Sequence, residues 1–407
     1  MSFTSAIRDY MKSGESKSEN LGLEVEHFVV NEEGFPMGFE EISKLIDEVA
    51  ERIGAELIYM DGYPVGYTED RYIVTLEPSC QFEISINPYS DLSKIESIYR
   101  DFISLWEPIF ADRGYHLVNK GVLPLVEQGS ITPDDIPLSP KKRYKYMDAY
   151  FRNSGRFGKY MMRASSSAQV SVDYRSEEDL VRKLRLLQQI SPILAIMMES
   201  KTREDGTLPG EDDKPHLLRI QEWDDLDHAR TGFFPGSFDD DFGYAKAADV
   251  VYHTPLILLT DNGVTTDVGS KCAGDLFGEG IIREEELDEK RKEKLVEHFL
   301  SMGFFHFRIK KYIEIRVADS VPIEKAMAYV ALLKGIIYSK DNIEALEKEL
   351  AGVDEIGIIE DAVLRIEREG LKARIYNNMT AAQWVSHLAE LAGNGLPPDE
   401  KEYLGYV

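Results

Sequence analysis

Four stretches of this chain alternate apolar with acidic, basic or amide side chains at a period of two. That pattern constrains the fold more than any other feature, because residues two apart on a strand share a face. In "LGLEVEHFVV" (21–30), Leu23, Val25 and His27 fall on one face and Glu24 and Glu26 on the other. In "TLEPSCQFEIS" (75–85), Phe82 and Ile84 oppose Gln81, Glu83 and Ser85, and Pro78 predicts a bulge that sets Glu77 apart from Glu83. "AQVSVDY" (168–174) sets Val170 and Val172 against Gln169, Ser171 and Asp173. "RIKKYIEIRVAD" (308–319) sets Ile309, Ile313 and Ile315 against Arg308, Lys310, Tyr312, Glu314 and Arg316.

A sheet with one face on a core and one in water gives the same alternation. The composition of the polar face speaks against that reading here, since Asp and Glu are depleted in strands. Two carboxylates about 6–7 Å apart repel by roughly 2–3 kcal/mol at an effective dielectric near 20. Glu24 and Glu26 on one strand, Glu77 and Glu83 on another and Glu314 on a third therefore predict a cation between them. Oxygen donors without histidine suit Mg²⁺ or Mn²⁺ rather than zinc. Arg308, Lys310 and Arg316 would make the same wall attractive to phosphate. Carboxylates for a hard cation beside guanidinium and ammonium groups for phosphate is the layout of ATP-dependent phosphoryl transfer. No phosphate-cradling glycine loop and no kinase signature is present, so the metal would have to hold the phosphates. His27, on an apolar face, reads as a packing residue.

The formal charge of −26 argues against nucleic-acid binding, which needs a basic surface. No apolar run reaches the roughly 18 residues that span a bilayer, and the first twenty residues lack a signal-peptide core, so a cytoplasmic protein is expected. Two cysteines, Cys80 and Cys272, form no disulfide framework and fit a reducing compartment. Both read first as small packed residues, and Cys80, beside the metal-bearing positions, is the one whose modification would affect activity if either is reactive.

Helical spacing predicts helices over 38–54, from an Asp91 N-cap through residue 114, and over 176–200, with Pro192 kinking or ending the last. From 322 onward the pattern is almost wholly helical. Three polar tracts, 127–143, 201–216 and 229–243, have the length of lids or binding loops. No linker is evident. The expectation is an α+β chain acting as one catalytic unit over 1–407, with a sheet-containing core at about 20–320 and a helical part at about 321–407.

Five motifs in order, "GLEVEHF", "LEPSCQFEIS", "YMMRASSSAQVSVDY", "RIQEWDDLDHARTG" and "KKYIEIRVADS", resemble the plant and bacterial branch of glutamate–cysteine ligase. That branch belongs to the carboxylate–amine ligases related in fold to glutamine synthetase. The resemblance implies a curved antiparallel sheet forming a half-barrel, with helices on its outer face. It implies an inner face that binds ATP, two or three Mg²⁺ and L-glutamate. The γ-carboxylate would be phosphorylated and then attacked by the amine of cysteine, the first step of glutathione biosynthesis. The resemblance assigns Glu24, Glu26, Glu77, Glu83 and Glu314 to the metal. It places Gln169 near the metal–glutamate site and Arg316 at the phosphates. Arg219 and Arg230 would hold carboxylates of the substrate, with Trp223 as a pocket wall or a core residue. Glu83 and Arg316 are the residues expected to carry catalysis. The chain departs from the plant pattern at Ala164, where an arginine is usual, at Ser171, where an asparagine is, and at Ser79-Cys80 in place of Gly-Gly. Arg163 is the neighbour placed to compensate for the missing arginine. These departures keep open a ligase using another amine, and a non-catalytic metal- or nucleotide-binding relative is a further alternative. A monomer or a homodimer fits equally.

Overall fold

The computed structural model describes residues 3–208, 210 and 213–407. Nine strands form one sheet: β1 (Leu21–Asn31), β2 (Glu56–Met60), β3 (Tyr63–Thr68), β4 (Tyr72–Leu76), β5 (Phe82–Tyr89), β6 (Tyr115–Val118), β7 (Ser167–Val172), β8 (Phe307–Ile309) and β9 (Ile313–Asp319). Their order is β8-β9-β7-β1-β5-β4-β3-β2, with β6 pairing the far end of β1. Every pairing is antiparallel. The fold is therefore a mixed one, helices with an antiparallel sheet. All four stretches with alternating polarity sit in the middle of this sheet or at its β8–β9 end.

The apolar halves of the strands are buried in one cluster that also takes in helices α1 (Phe39–Ile53), α2 (Leu92–Ala111), α4 (Glu177–Met197) and α7 (Ile323–Ile337). The ring of Phe82 lies 4.6 Å from Trp106 and 5.4 Å from Phe110, which fixes α2 across β5. His27 is fully buried there and both ring nitrogens are satisfied: Nδ1 donates to the Phe82 carbonyl at 2.9 Å and Nε2 accepts from the Tyr99 hydroxyl at 2.7 Å. Burial lowers its pKa to about 4, so it is a neutral packing residue as expected. Helices α8 (Lys340–Glu349), α9 (Ile356–Glu369) and α10 (Ala381–Gly395) pack against α4. The helical C-terminal part therefore reaches the sheet directly through α7, which touches β1 and β7, as well as through α4.

The helix over 38–54 is confirmed, closed by Gly54 in the left-handed region at φ 71°. Asp91 caps α2 by accepting from the Ser93 amide. Two expectations are corrected. Pro192 does not end α4, which runs on to Met197. A proline there leaves the carbonyl of Gln188 without its helical donor, and the Ser191 hydroxyl takes that place at 2.8 Å. The second correction concerns residues 77–81, which form a hairpin turn between β4 and β5 rather than a bulge in one strand. Cys80 donates its amide to the Glu77 carbonyl at 3.0 Å, and Glu77 donates to Gln81 at 2.8 Å. Cys80 itself has φ 65°. This is a turn followed by a left-handed residue, the three-residue hairpin in which glycine usually holds the last position. Of the polar tract 201–216, Pro209, Glu211 and Asp212 lie outside the described residues.

Candidate active site

On the polar face of the sheet, strand register brings the predicted residues into rows. Glu26 of β1 lies opposite Glu83 of β5, and Glu83 opposite Thr75 of β4. Glu24 is flanked by Ser85 and by Gln169 of β7. Glu314 lies between Ser171 and Arg308. Like charges directly across a strand pair are destabilising, so the Glu26–Glu83 position needs a chemical reason. The rows open into a cavity of about 250 Å³ whose lining includes five carboxylates (Glu24, Glu26, Glu77, Glu83, Glu314) and five cations (Arg143, Arg219, Arg308, Lys310, Arg316).

These charges balance in number but are segregated. Glu83 is 9% exposed and accepts from Thr75 Oγ1 at 2.8 Å and Ser85 Oγ at 3.2 Å. Burial, then Glu77, Glu24 and Glu26, push its pKa well above the usual carboxylate range. Glu26 accepts from the Ser167 amide at 2.7 Å, yet burial and Glu77 still raise it to about 7. Glu24 is raised by burial and by Glu314. Glu77 reaches the Tyr144 hydroxyl at 3.4 Å. Glu314 differs from all of these. Against the cost of burial, Arg308, Lys310 and Arg316 hold it below the carboxylate range. Lys310 Nζ is 2.6 Å from its Oε1, and Arg308 and Arg316 are 3.2 and 3.1 Å from its Oε2. Arg316 also donates to the Gln169 side-chain carbonyl.

Trp223, on α5 (Leu218–Asp224), lines the cavity near two guanidinium groups. The Cζ atoms of Arg219 and Arg316 are each 5.7 Å from its ring. Among the described residues, three buried N–H groups of the lining lack a hydrogen-bond partner: Arg143 Nε, Arg219 Nε and Trp223 Nε1. Orphaned donors in one cavity are what an oxygen-rich anionic ligand would satisfy. For a divalent cation the donor chemistry also fits, since Glu24, Glu26, Glu77 and Glu83 are hard oxygen ligands lining one cavity, and crowding and burial raise the pKa of Glu24, Glu26 and Glu83. Among the described residues no three such ligands are already gathered to hold an ion. Coordination therefore calls for these side chains to close in from the cavity wall.

The family model "Glutamate-cysteine ligase family 2 (GCS2)" matches residues 20–350. The chain belongs to that family. Its relatives include the chloroplastic glutamate–cysteine ligases of Brassica juncea and Arabidopsis thaliana. Both are 26% identical over 96% of this chain, covering 78% and 77% of those proteins. A solved glutamate–cysteine ligase from Francisella tularensis, in complex with AMP, aligns over 96% of this chain and 81% of its own at 12% identity with a TM-score of 0.49.

For a member of glutamate-cysteine ligase family 2, the fate of each expected residue is instructive. All five acidic positions, Gln169, Arg219, Trp223, Arg308, Lys310 and Arg316 line the one cavity. Arg230 does not. It is buried outside that lining, 2.8 Å from Asp227 and over the Tyr150 ring at 4.5 Å. Arg163 does not stand in for the arginine replaced by Ala164. It pairs with Asp148 and donates to the Ile136 carbonyl at 3.1 Å, away from the cavity. Cys80 is not a reactive thiol, because burial raises its pKa to about 12 and only the thiolate attacks. Arg143 was missed. It begins α3 (Lys142–Phe151), at the end of the polar tract 127–143, where loop length was legible but no single side chain stood out. Gln81 was recognised only as part of a strand face. It closes the turn at the Ser79 amide (2.8 Å) and ties it to the Ser165 carbonyl (2.9 Å).

Proposed function

We propose that the chain is an ATP- and Mg²⁺-dependent ligase that joins the γ-carboxylate of L-glutamate to the amine of L-cysteine. The activity named for its family and relatives supports this. The observation that carries the reading is the segregation within one cavity: crowded carboxylates on one wall, cations with orphaned donors on the other. A carboxylate is a poor electrophile. Its γ-oxygen attacks the terminal phosphorus of ATP, ADP leaves, and an acyl phosphate results. The amine nitrogen then attacks the acyl carbon, a proton leaves the nitrogen, and inorganic phosphate departs. The enzyme's task is charge neutralisation and alignment.

Glu24, Glu26, Glu77 and Glu83 would hold two or three Mg²⁺ ions, or Mn²⁺. Glu314 would join them where it exchanges one of its three cations. When bound, the metal supplies neutralisation of the nucleotide's phosphates beside these carboxylates. Arg308, Lys310 and Arg316 bind phosphate, Arg316 being placed by Gln169 and Glu314 to stabilise charge on the transferring group. Arg219, with Trp223 behind it, holds a substrate carboxylate. Glu83 and Arg316 are the catalytic pair of this reading.

The finer shape belongs to the same reading: the sheet is a curved half-barrel with its helices outside, supported by the burial of one strand face against α1, α2, α4 and α7. The chain acts as one catalytic unit, as a monomer or homodimer, and the core running from Phe3 to Leu396 supports the first of these. Free thiols at Cys80 and Cys272 support a reducing compartment such as the cytoplasm. A second reading, the same chemistry with another amine, draws on Ala164. That residue is fully buried and lies off the cavity, so no arginine reaches substrate from its position.

The test is Mg²⁺-dependent ADP release with ATP and L-glutamate, with and without L-cysteine, and the mass of the product. γ-Glutamylcysteine is expected. Turnover with a different amine selects the second reading. Folded protein that is inactive with every amine overturns both.

A further inference from the structure

Helix α3 brings Arg143 and Tyr144 into the lining of the carboxylate cavity, where they join Ser301 of α6 (Glu289–Met302). The residue at its start breaks two local rules. The N-cap is Lys141, whose side chain makes no cap hydrogen bond among the described residues. Ser, Thr, Asp or Asn is favoured there because a side-chain oxygen satisfies an open amide, and a cation at the positive end of a helix is disfavoured. Lys141 is moreover 4% exposed, so its ammonium group has lost its water. A local rule broken twice at one position calls for a compensating gain.

The cap comes from another element. Asp61, at the tip of the β2–β3 hairpin, accepts from the Lys142 amide at 2.8 Å, and its other oxygen lies 3.7 Å from Lys142 Nζ. Position 141 is thereby released from capping. Its ammonium group reaches back to the turn between β4 and β5 and donates to the Leu76 carbonyl. Two residues earlier, the Ser139 amide donates to the Pro78 carbonyl at 2.8 Å. Both carbonyls that flank Glu77 are therefore held by one short segment. That segment touches the carboxylate as well: the Tyr144 ring lies 5.0 Å from Lys141 Nζ, and its hydroxyl donates to Glu77 Oε2 at 3.4 Å. Burial lowers the pKa of Lys141, and Glu77 is the foremost of the neighbours that oppose the fall.

Among the described residues, Glu77 is the one carboxylate of the cavity that stands on no strand. Glu24 and Glu26 on β1, Glu83 on β5 and Glu314 on β9 are aimed by the ladder. Glu77 follows the last residue of β4, and its direction depends on what grips the turn.

We infer that Lys141 is a positioning residue for Glu77: through the Leu76 carbonyl it holds the turn from which that carboxylate enters the cavity, and Asp61 fixes the other end of the clasp at α3. This rests on the ligase reading above and deepens it by naming what orders one member of the metal-binding wall. It also accounts for a buried lysine at a helix start. A serine or aspartate there would cap α3 and leave the turn unheld.

The test compares wild type with Lys141→Met, which keeps most of the stem, and Asp61→Gly, which suits the φ of 52° at that position and removes the cap. Mn²⁺ affinity is read directly by electron paramagnetic resonance, and hydrogen exchange is followed in the peptide covering 76–82. Lys141→Met should weaken Mn²⁺ binding at least tenfold, within the roughly 10–100-fold effect of residues that orient metal ligands. KM for Mg²⁺ should rise in parallel, with kcat at saturating Mg²⁺ within about twofold of wild type. Exchange at the Glu77 and Cys80 amides should quicken by about tenfold or more while β1 and α2 exchange as before. Asp61→Gly should move both readouts the same way by about fivefold, as for the loss of one helix cap. A purely structural lysine would quicken exchange everywhere and leave the Mn²⁺ affinity of the folded protein unchanged, which overturns the proposal. Tighter Mn²⁺ binding in Lys141→Met would make the ammonium a mere repulsive charge and overturns it too. If Lys141→Met does not fold, Asp61→Gly decides, and unchanged readouts there end the proposal. If wild type binds no Mn²⁺, the metal of the ligase reading fails separately. Exchange then decides: quickening confined to 76–82 upholds the clasp, and equal exchange ends it.

Discussion

Glu83 sits opposite Glu26 across two strands and next to Glu77, so its carboxyl is held in the folded protein against repulsion. Glu83→Gln removes that repulsion and a metal ligand together. Unfolding free energy should rise by about 1 kcal/mol, while ADP release falls by about a hundredfold or more. Denaturant titration and a turnover assay on the same preparation check both halves, and a variant that loses stability along with activity would contradict the account. Cys80 poses a different residue-scale problem. A left-handed conformation costs a side-chain-bearing residue roughly 1–2 kcal/mol, and Cys80 holds one at φ 65° in a buried turn. Cys80→Gly relieves that cost and loses buried sulfur, so its stability should stay within about 1 kcal/mol of wild type. Cys80→Val, nearer in size, should lose about 2 kcal/mol or more, because branching at Cβ makes positive φ a true outlier. Chemical denaturation of the two variants separates them.

At the scale of elements, Ser191 and Pro192 act as a unit. The serine hydroxyl serves the Gln188 carbonyl that the proline cannot. Ser191→Ala should therefore cost about 1–2 kcal/mol by leaving a buried acceptor unpaired. Adding Pro192→Ala restores an amide donor, and most of the loss should return in the double variant, a coupling read by a denaturation cycle. This pair also shows why sequence reading succeeds in one place and fails in another. Period-two alternation identified the strands bearing Glu24, Glu83, Gln169 and Glu314, because burial of one face fixes register. Pro192 misled, since its effect depends on whether one neighbouring hydroxyl turns back. The 77–81 turn was hidden because Cys80 occupies a position where glycine would have announced it. Arg230 and Arg163 look like ligand-binding arginines in sequence, and only the folded chain reveals Asp227 and Asp148 beside them. Arg143 was illegible for the converse reason: what marks it is a buried Nε with no hydrogen-bond partner among the described residues.

Across the whole molecule, a charge of −26 surrounds a site that must admit anions. The local cations of the cavity answer this at short range, and salt screens the rest beyond about 10 Å. The carboxylates set a pH dependence as well. Glu26 has a pKa of about 7 in the folded chain against 4.5 as the ordinary value. A raised carboxyl pKa stabilises the fold below pH 4.5, and that contribution is lost as pH rises through 7. The full loss is on the order of 3 kcal/mol, of which about 1 kcal/mol falls between pH 6 and 8. Mg²⁺ requires the deprotonated form, so it competes with protons and offsets the repulsion. The rise in thermal midpoint on adding Mg²⁺ should accordingly be larger at pH 8 than at pH 6. An equal rise at both would place the ion elsewhere.

The guanidinium groups of Arg219 and Arg316 each lie 5.7 Å from the Trp223 ring, whose Nε1 has no hydrogen-bond partner among the described residues. The other two tryptophans, Trp106 and Trp384, are fully buried and donate to the Tyr67 hydroxyl and the Tyr376 carbonyl. The molecule thus carries its own optical sensor. Of its three tryptophans, two are shielded from anything that happens in the cavity and one lines it. A ligand that draws either arginine away, or that accepts from the indole, should change the emission of Trp223 against a constant background. Occupancy of the site can then be followed in unlabelled protein, one substrate at a time, and Trp223→Phe should silence the signal.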